Sequence, residues 1–229
     1  KIDPNGVIST VAGNGRCTYK VKEGPALQVS LCYPDDVEVD AAGNLYIADN
    51  GNGVIRKVDS SGMITTFAGN QNCFIYNGGD GIPATEACLY NVLGIYIDRA
   101  RNIYLADSWN YCVRKVDTSG IITTVAGICG EDGWGYSGDG GPPTKARLGW
   151  TWDVEGDPAG NLYIADNDHA VVRRVRPSSA FFQTVPGSEI PFPDSNGLGY
   201  IMSAAGGHKR TIDLHTGVVL NLFEYDEEG

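Results

Sequence analysis

An aspartate followed seven residues later by an arginine occurs three times: Asp49 with Arg56, Asp107 with Arg114 and Asp166 with Arg173. Three carboxylates at one register could ring a channel and ligate a metal ion. The same residues can do something plainer. An Asp that closes a strand-to-strand turn accepts hydrogen bonds from backbone amides, with the arginine as its charged neighbour. Catalytic residues rarely recur identically in every copy of a repeat, so Asp49, Asp107 and Asp166 are expected to be structural turn residues.

Other candidates are weaker. Asp80 and Asp139 sit in Gly-Asp-Gly turns and could bind a cation through carboxylate and carbonyl oxygens, although plain turn chemistry explains them better. The DNGNG run from Asp49 resembles the start of a calcium loop, but its twelfth position is Ser60 rather than Glu. Of the three histidines, His169, His208 and His215, the first occupies the slot that Asn52 holds in an earlier copy of the repeat. No G-x-S-x-G and no plausible Ser, His, Asp set is present. No catalytic residue and no cofactor is expected. The aromatic residues Trp134, Tyr136 and Trp150, with Trp152 bordering them, could stack against a sugar or anchor a protein, or could fold on one another. Tyr76, in an earlier insert, joins them as a binding-surface candidate, with Tyr19 as a further insert aromatic.

Six cysteines fall as Cys17 and Cys32, Cys73 and Cys88, and Cys112 and Cys129. The first two pairs are spaced alike and bracket the same variable insert of the repeat; the third lies at the two ends of a predicted hairpin. There is no CxxC, and no His lies close in sequence to a cysteine pair, which disfavours zinc. Three disulfides and an oxidising, extracytoplasmic compartment are expected. A net charge of −11 over 229 residues disfavours nucleic acid as a partner. No run of eighteen apolar residues is available to cross a membrane.

The elements that carry these residues repeat. NLYIAD begins at Asn44, NIYLAD at Asn102 and NLYIAD again at Asn161, spacings of 58 and 59 residues. Each copy contains a first strand (37–40, 95–98, 152–155) and then the LYIAD strand, whose two faces are both apolar, so that it must lie between two layers. A hairpin follows, with SSG or TSG as its turn. Four antiparallel strands per unit, buried on both faces, describe the blades of a β-propeller. The chain divides into a partial repeat (1–13), three repeats (14–69, 70–127, 128–187) and a degenerate fourth (188–229) with no clear first strand before Tyr200. Because 1–13 matches the end of a cassette, the first repeat is truncated: either the natural protein continues upstream or this piece pairs with the far end.

The cassette Gly43 to Asn70, with YSGDGGPPTKARL from Tyr136, resembles the NHL repeat family, in its long-period extracellular and bacterial-type form. The resemblance covers about three quarters of the chain. It departs from the name-giving Asn-His-Leu at Asn52-Gly53-Val54, Asn110-Tyr111-Cys112 and His169-Ala170-Val171. It implies that 1–229 is a single propeller region of about four blades, incomplete or an open arc where the family usually closes six. Propeller lyases similar to this family place several histidines around a channel metal, an arrangement that three histidines clustered late in the chain do not reproduce.

Together these readings point to a non-catalytic extracellular or cell-surface module that binds proteins, with a glycan as a further possible partner. A variant is a filament subunit that self-associates through blade edges. The rival is a metal-dependent propeller hydrolase or lyase.

Overall fold

The computed structural model describes residues 1–2, 4–73 and 79–177, together with the backbone of four later strands. It forms two compact units, Lys1–Gly156 with Leu162–Val175, and Asp157–Asn161 with Arg176–Gly229.

The first unit is all-β apart from single 3-10 turns, and its sheets are antiparallel propeller blades. Blade 1 comprises β1 (Gly24–Pro25), β2 (Pro34–Val39), β3 (Leu45–Asp49), β4 (Val54–Val58) and β5 (Met63–Ala68). Blade 2 repeats it with β6 (Ile82–Pro83), β7 (Val92–Ile97), β8 (Ile103–Asp107), β9 (Cys112–Val116) and β10 (Ile121–Gly127). In spatial order these are β1-β5-β4-β3-β2 and β6-β10-β9-β8-β7. Each blade therefore has five strands rather than the four expected. The extra one is a two-residue piece of the preceding insert, which covers the outer edge: Gly24 and Pro25 pair with Ile64 and Met63, and Ile82 and Pro83 with Ile122 and Ile121. An open edge invites pairing with another chain, and a covered one does not. Blade 3 shows β11 (Thr151–Gly156), β12 (Leu162–Asp166) and β13 (Val171–Val175); the fourth strand expected over Phe181 to Gly187 lies outside the described residues.

The LYIAD strands are buried on both faces for the reason their sequence implies. From β3, Tyr46 and Ala48 join Ile55 and Ala68 against Ile95, Leu105, Val116 and Ile122 of blade 2. Ile47, pointing the other way, packs with Val58 and Ile64 beneath Ala26 and Val29 of the insert. The opposite face of blade 2, with Ala106, Val113 and Ala126, meets Leu148, Val154, Leu162 and Ile164. Each such aliphatic side chain contributes about 1.5–3 kcal/mol on burial. One face stays bare: Val37 is 57% exposed, whereas Ile95 at the same register is 2% exposed.

Turn chemistry is local. Asp59 Oδ1 accepts bonds from the amides of Ser61 and Met63 and from the Ser61 hydroxyl, and Asp117 does the same for Ser119 and Ile121. The left-handed φ of Gly62 (+79°) and Gly120 (+81°) completes each turn at little steric cost. The opening segment folds on itself, with an Ile2–Ile8 bridge and the Ser9 amide bonded to the Lys1 carbonyl, and is tied to the insert through Gly13 N–H to Ala26 O.

In the second unit, β14 (Pro191–Pro193), β15 (Leu198–Met202), β16 (His208–Asp213) and β17 (Val219–Leu222) form one antiparallel sheet in sequence order. The first strand that the sequence concealed is thus Pro-Phe-Pro. Proline hides a strand from propensity reasoning but is tolerated at a sheet edge, which is where β14 lies.

Candidate functional site

The three recurring aspartates turn inward. Asp49, Asp107 and Asp166 are fully buried, as are Arg56 and Arg114, while Arg173 is 9% exposed. Each Asp accepts a backbone N–H from a residue 17 positions earlier, at the end of the insert: Cys32 at 2.6 Å, Tyr90 at 2.8 Å and Gly149 at 3.0 Å. The 3-10 turn after each LYIAD strand supplies a second partner. Asn52 and Asn110 donate Nδ2 to Asp49 and Asp107 at 2.8 and 2.9 Å, and His169 Nδ1 lies 2.7 Å from Asp166. The arginines hold the other side of the insert. Arg56 reaches the Lys22 carbonyl, Arg114 the Gly79 carbonyl and Asp80, and Arg173 the Ser137 carbonyl and Asp139. The pair is therefore a clamp that fixes an insert to its blade. The Asp was expected to bond amides of its own turn; the amide comes instead from the insert, and the turn contributes a side chain.

Burial raises the pKa of Asp49, and pushes Asp107 up to about 6 although Asn110, the Tyr90 amide and Arg114 favour its charged form. Asp80 and Asp139 lie 2.9 Å from Arg114 and 2.6 Å from Arg173. Each of these carboxylates is thus paired with the arginine of its own clamp. No three His, Cys, Asp or Glu side chains converge as a metal set among the described residues.

Three disulfides staple the inserts: Cys17–Cys32, Cys73–Cys88 and Cys112–Cys129, with Cα separations of 4.4, 5.4 and 5.2 Å. The first two close a loop inside an insert. The third joins the first residue of β9 to the start of the next insert. Cys32 is at once a disulfide partner and the amide donor to Asp49.

The exposed aromatic residues gather on the inserts, on the 3-10 turns and, with Trp152, at the start of β11. Tyr19 is 57% exposed, Tyr33 66%, Trp134 55%, Tyr136 53%, Trp150 43% and Trp152 53%. Tyr33 and Trp150 occupy the same register, each following the residue whose amide the clamp Asp holds. Tyr90 and Trp109 stack edge to face at 4.8 Å and are both about 40% exposed. Tyr33, Tyr90 and Trp109 escaped the sequence reading; the signal was their position, one side of the clamp or the other, rather than their type. Tyr76 lies outside the described residues, as does His215, and His208 is seen only as backbone of β16.

Carboxylates gather on the first strands. Asp36, Gly94 and Asp153 share one register, and β2, β7 and β11 run side by side. Asp36 accepts the Ile95 amide of the next blade at 2.7 Å. A Cβ on Gly94 would fall 2.4 Å from Asp153 Oδ1, so glycine makes room for that carboxylate. Burial, with Asp36 nearby, raises Asp153, and burial with Asp153, Glu38 and Asp36 raises Glu155.

No family model matches the sequence. The chain is 26% identical over 253 residues to teneurin-3 of Mus musculus, a match that takes in all of this chain and 9% of that protein. It thus spans about a tenth of the length of the curated relatives it matches. Among solved structures, a putative phosphatase from Bacteroides thetaiotaomicron gives a TM-score of 0.51 at 22% identity, over 62% of this chain and 34% of that one. An auxiliary nutrient binding protein from Bacteroides ovatus gives 0.50 at 24% identity, over 60% and 36%. Two such different descriptions on one architecture are a likeness of fold alone.

What the arrangement offers chemically follows from these placements. The buried Asp and Arg groups bond the insert, and in blades 2 and 3 they face one another at 3.8 and 3.7 Å. The insert end presents exposed aromatic side chains to solvent.

Proposed function

We propose that the chain is a non-catalytic interaction module of NHL type belonging to an extracellular or cell-surface protein, which binds a protein partner through the end of the blades that carries the inserts. The observation that carries this reading is the exposure of Tyr33, Tyr90, Trp109, Trp150 and Trp152 on three successive blades, when the recurring polar residues are internal. Aromatic residues dominate the energetics of protein interfaces, and large ones left in water mark such surfaces. The three disulfides support an oxidising compartment, and the similarity to teneurin-3 over the whole chain supports a modular part of a longer protein. Self-association through the outer edges of blades 1 and 2 would have to displace β1 and β6, so the aromatic end is the better contact.

The test is binding of the disulfide-intact chain to immobilised cell-surface protein fractions and to a second copy of itself. Saturable binding that falls at least roughly tenfold in the triple variant Tyr33→Ala, Trp109→Ala, Trp150→Ala is expected. Binding that is absent, or indifferent to that variant, contradicts the reading.

A further inference from the structure

In the side chains of its clamp, blade 3 departs from its neighbours where His169 stands in the place of Asn52 and Asn110. The His keeps the bond to the clamp Asp, but its ring extends further and meets two aromatic side chains of the insert: Tyr136 at 5.3 Å between centroids and Trp134 at 6.3 Å. The polar tips of both are already engaged. Trp134 Nε1 donates to Asp168 at 3.1 Å, and the Tyr136 hydroxyl donates to Asp139 at 3.3 Å. The Arg173 guanidinium lies 4.9 Å from the Tyr136 ring centre. Yet each residue is more than half exposed. With their polar tips engaged, what these exposed side chains have left to offer a ligand is aromatic carbon.

The support is tied to its surroundings at several points. Trp134 bridges to Leu148 and Ser137 to Arg147, so the insert is a small folded unit. Gly133 and Gly138 lie so close to the Ile128 carbonyl and to the Ala146 backbone that a Cβ at either would collide. Gly149 leaves the space into which His169 fits, a Cβ there falling 2.9 Å from His169 Cε1. A ligand meeting such rings pays little in lost side-chain freedom, since their conformations are set beforehand.

We infer that Trp134 and Tyr136, backed by His169, form a stacking platform for a neutral sugar ring. This deepens the interaction reading given above by naming a ligand class for one blade. The negative face of an aromatic ring attracts positively polarised C–H groups, and one face of a pyranose is a sheet of them. Hydroxyl groups at the sugar rim need acceptors and donors together. Asp139 and Asp168 supply the former, and Arg147, with Lys145 on the same insert, the latter. The mixed signs disfavour a strongly charged ligand of either kind. Blades 1 and 2 carry Asn where blade 3 carries His169, so the platform as described belongs to blade 3.

The experiment is affinity electrophoresis and tryptophan fluorescence of the full chain against neutral polysaccharides of gluco, manno, galacto and xylo configuration. Retardation by at least one, with a fluorescence change on binding of its oligosaccharide, is expected. Affinity should drop roughly tenfold in Trp134→Ala and in Tyr136→Ala and be largely kept in Trp134→Phe. His169→Asn, which keeps the Asp166 bond and removes the ring support, should lose severalfold. Absence of binding by every sugar, or binding that survives the Trp134→Ala, Tyr136→Ala double variant with an unchanged melting temperature, overturns the inference. If sugars fail while protein binding persists and is lost with Trp134→Ala, the platform is a protein anchor and only this inference falls. If neither ligand class binds, both readings fall.

Discussion

Blades 2 and 3 solve one problem in two ways. Both must hold an insert of about two dozen residues against a LYIAD strand, and both use a buried Asp and an Arg from the hairpin. Blade 2 completes the clamp with Asn110 and closes its insert by an internal disulfide, Cys73–Cys88. Blade 3 has no cysteine between Ile128's neighbour Cys129 and the strand, and completes its clamp with His169 under Trp134 and Tyr136. The lesson is that the backbone frame is repeated while the brace is exchanged, and the exchanged brace is what faces solvent.

The largest effect expected from breaking the frame is Arg114→Ala. It strips a charge partner from Asp107 inside a closed interior and frees the Gly79 end of the insert, a loss of about 3–5 kcal/mol. Urea unfolding measures it, and Trp134→Ala in blade 3 should by contrast stay within about 1 kcal/mol.

A pH series sharpens the same contrast. Asp107 has its pKa raised to about 6 by burial, above the 3.8 it has unfolded, so the folded state holds the extra proton between those values. Its contribution to stability is full at acid pH and is lost as pH rises from about 4 through 6, by about 3 kcal/mol. Asp107→Asn should remove that decline, seen as a wild-type-minus-variant difference that shrinks with rising pH. Parallel slopes for the two proteins over that window would contradict it.

Replacing Cys73 and Cys88 together by Ala should cost about 3 kcal/mol, as expected for opening a loop of this length. The smallest change is His169→Asn, which installs blade 2's clamp in blade 3. Global stability should shift by no more than about 0.5 kcal/mol, while hydrogen exchange speeds up in residues 134–148. Unchanged exchange there would show that the aromatic brace is not what holds the insert.

The frame was legible in the sequence because each of its demands has a residue signature. LYIAD reports a strand buried on both faces, SSG a hairpin turn, and cysteines at matched spacing a stapled insert. Two things were not legible. The partner of each clamp Asp is a backbone amide 17 residues upstream, and an amide carries no side-chain signature. The edge strands β1 and β6 are two residues each, too short for any periodicity, and β14 is hidden by its prolines. At the surface, Trp134, Tyr136 and Trp150 stood out as clustered aromatics, whereas Tyr33, Tyr90 and Trp109 are far apart from one another in the chain and meet one end of the blades only after folding.

The central claim is that what recurs holds the blades and what varies binds. It is tested most directly by measuring, side by side, the urea midpoint and the partner binding of Asp107→Asn and of the Tyr33→Ala, Trp109→Ala, Trp150→Ala variant. The account predicts a changed pH dependence with binding intact for the first, and an unchanged midpoint with binding reduced at least roughly tenfold for the second. Loss of binding on Asp107→Asn at full stability, with the aromatic variant binding as wild type, would contradict it.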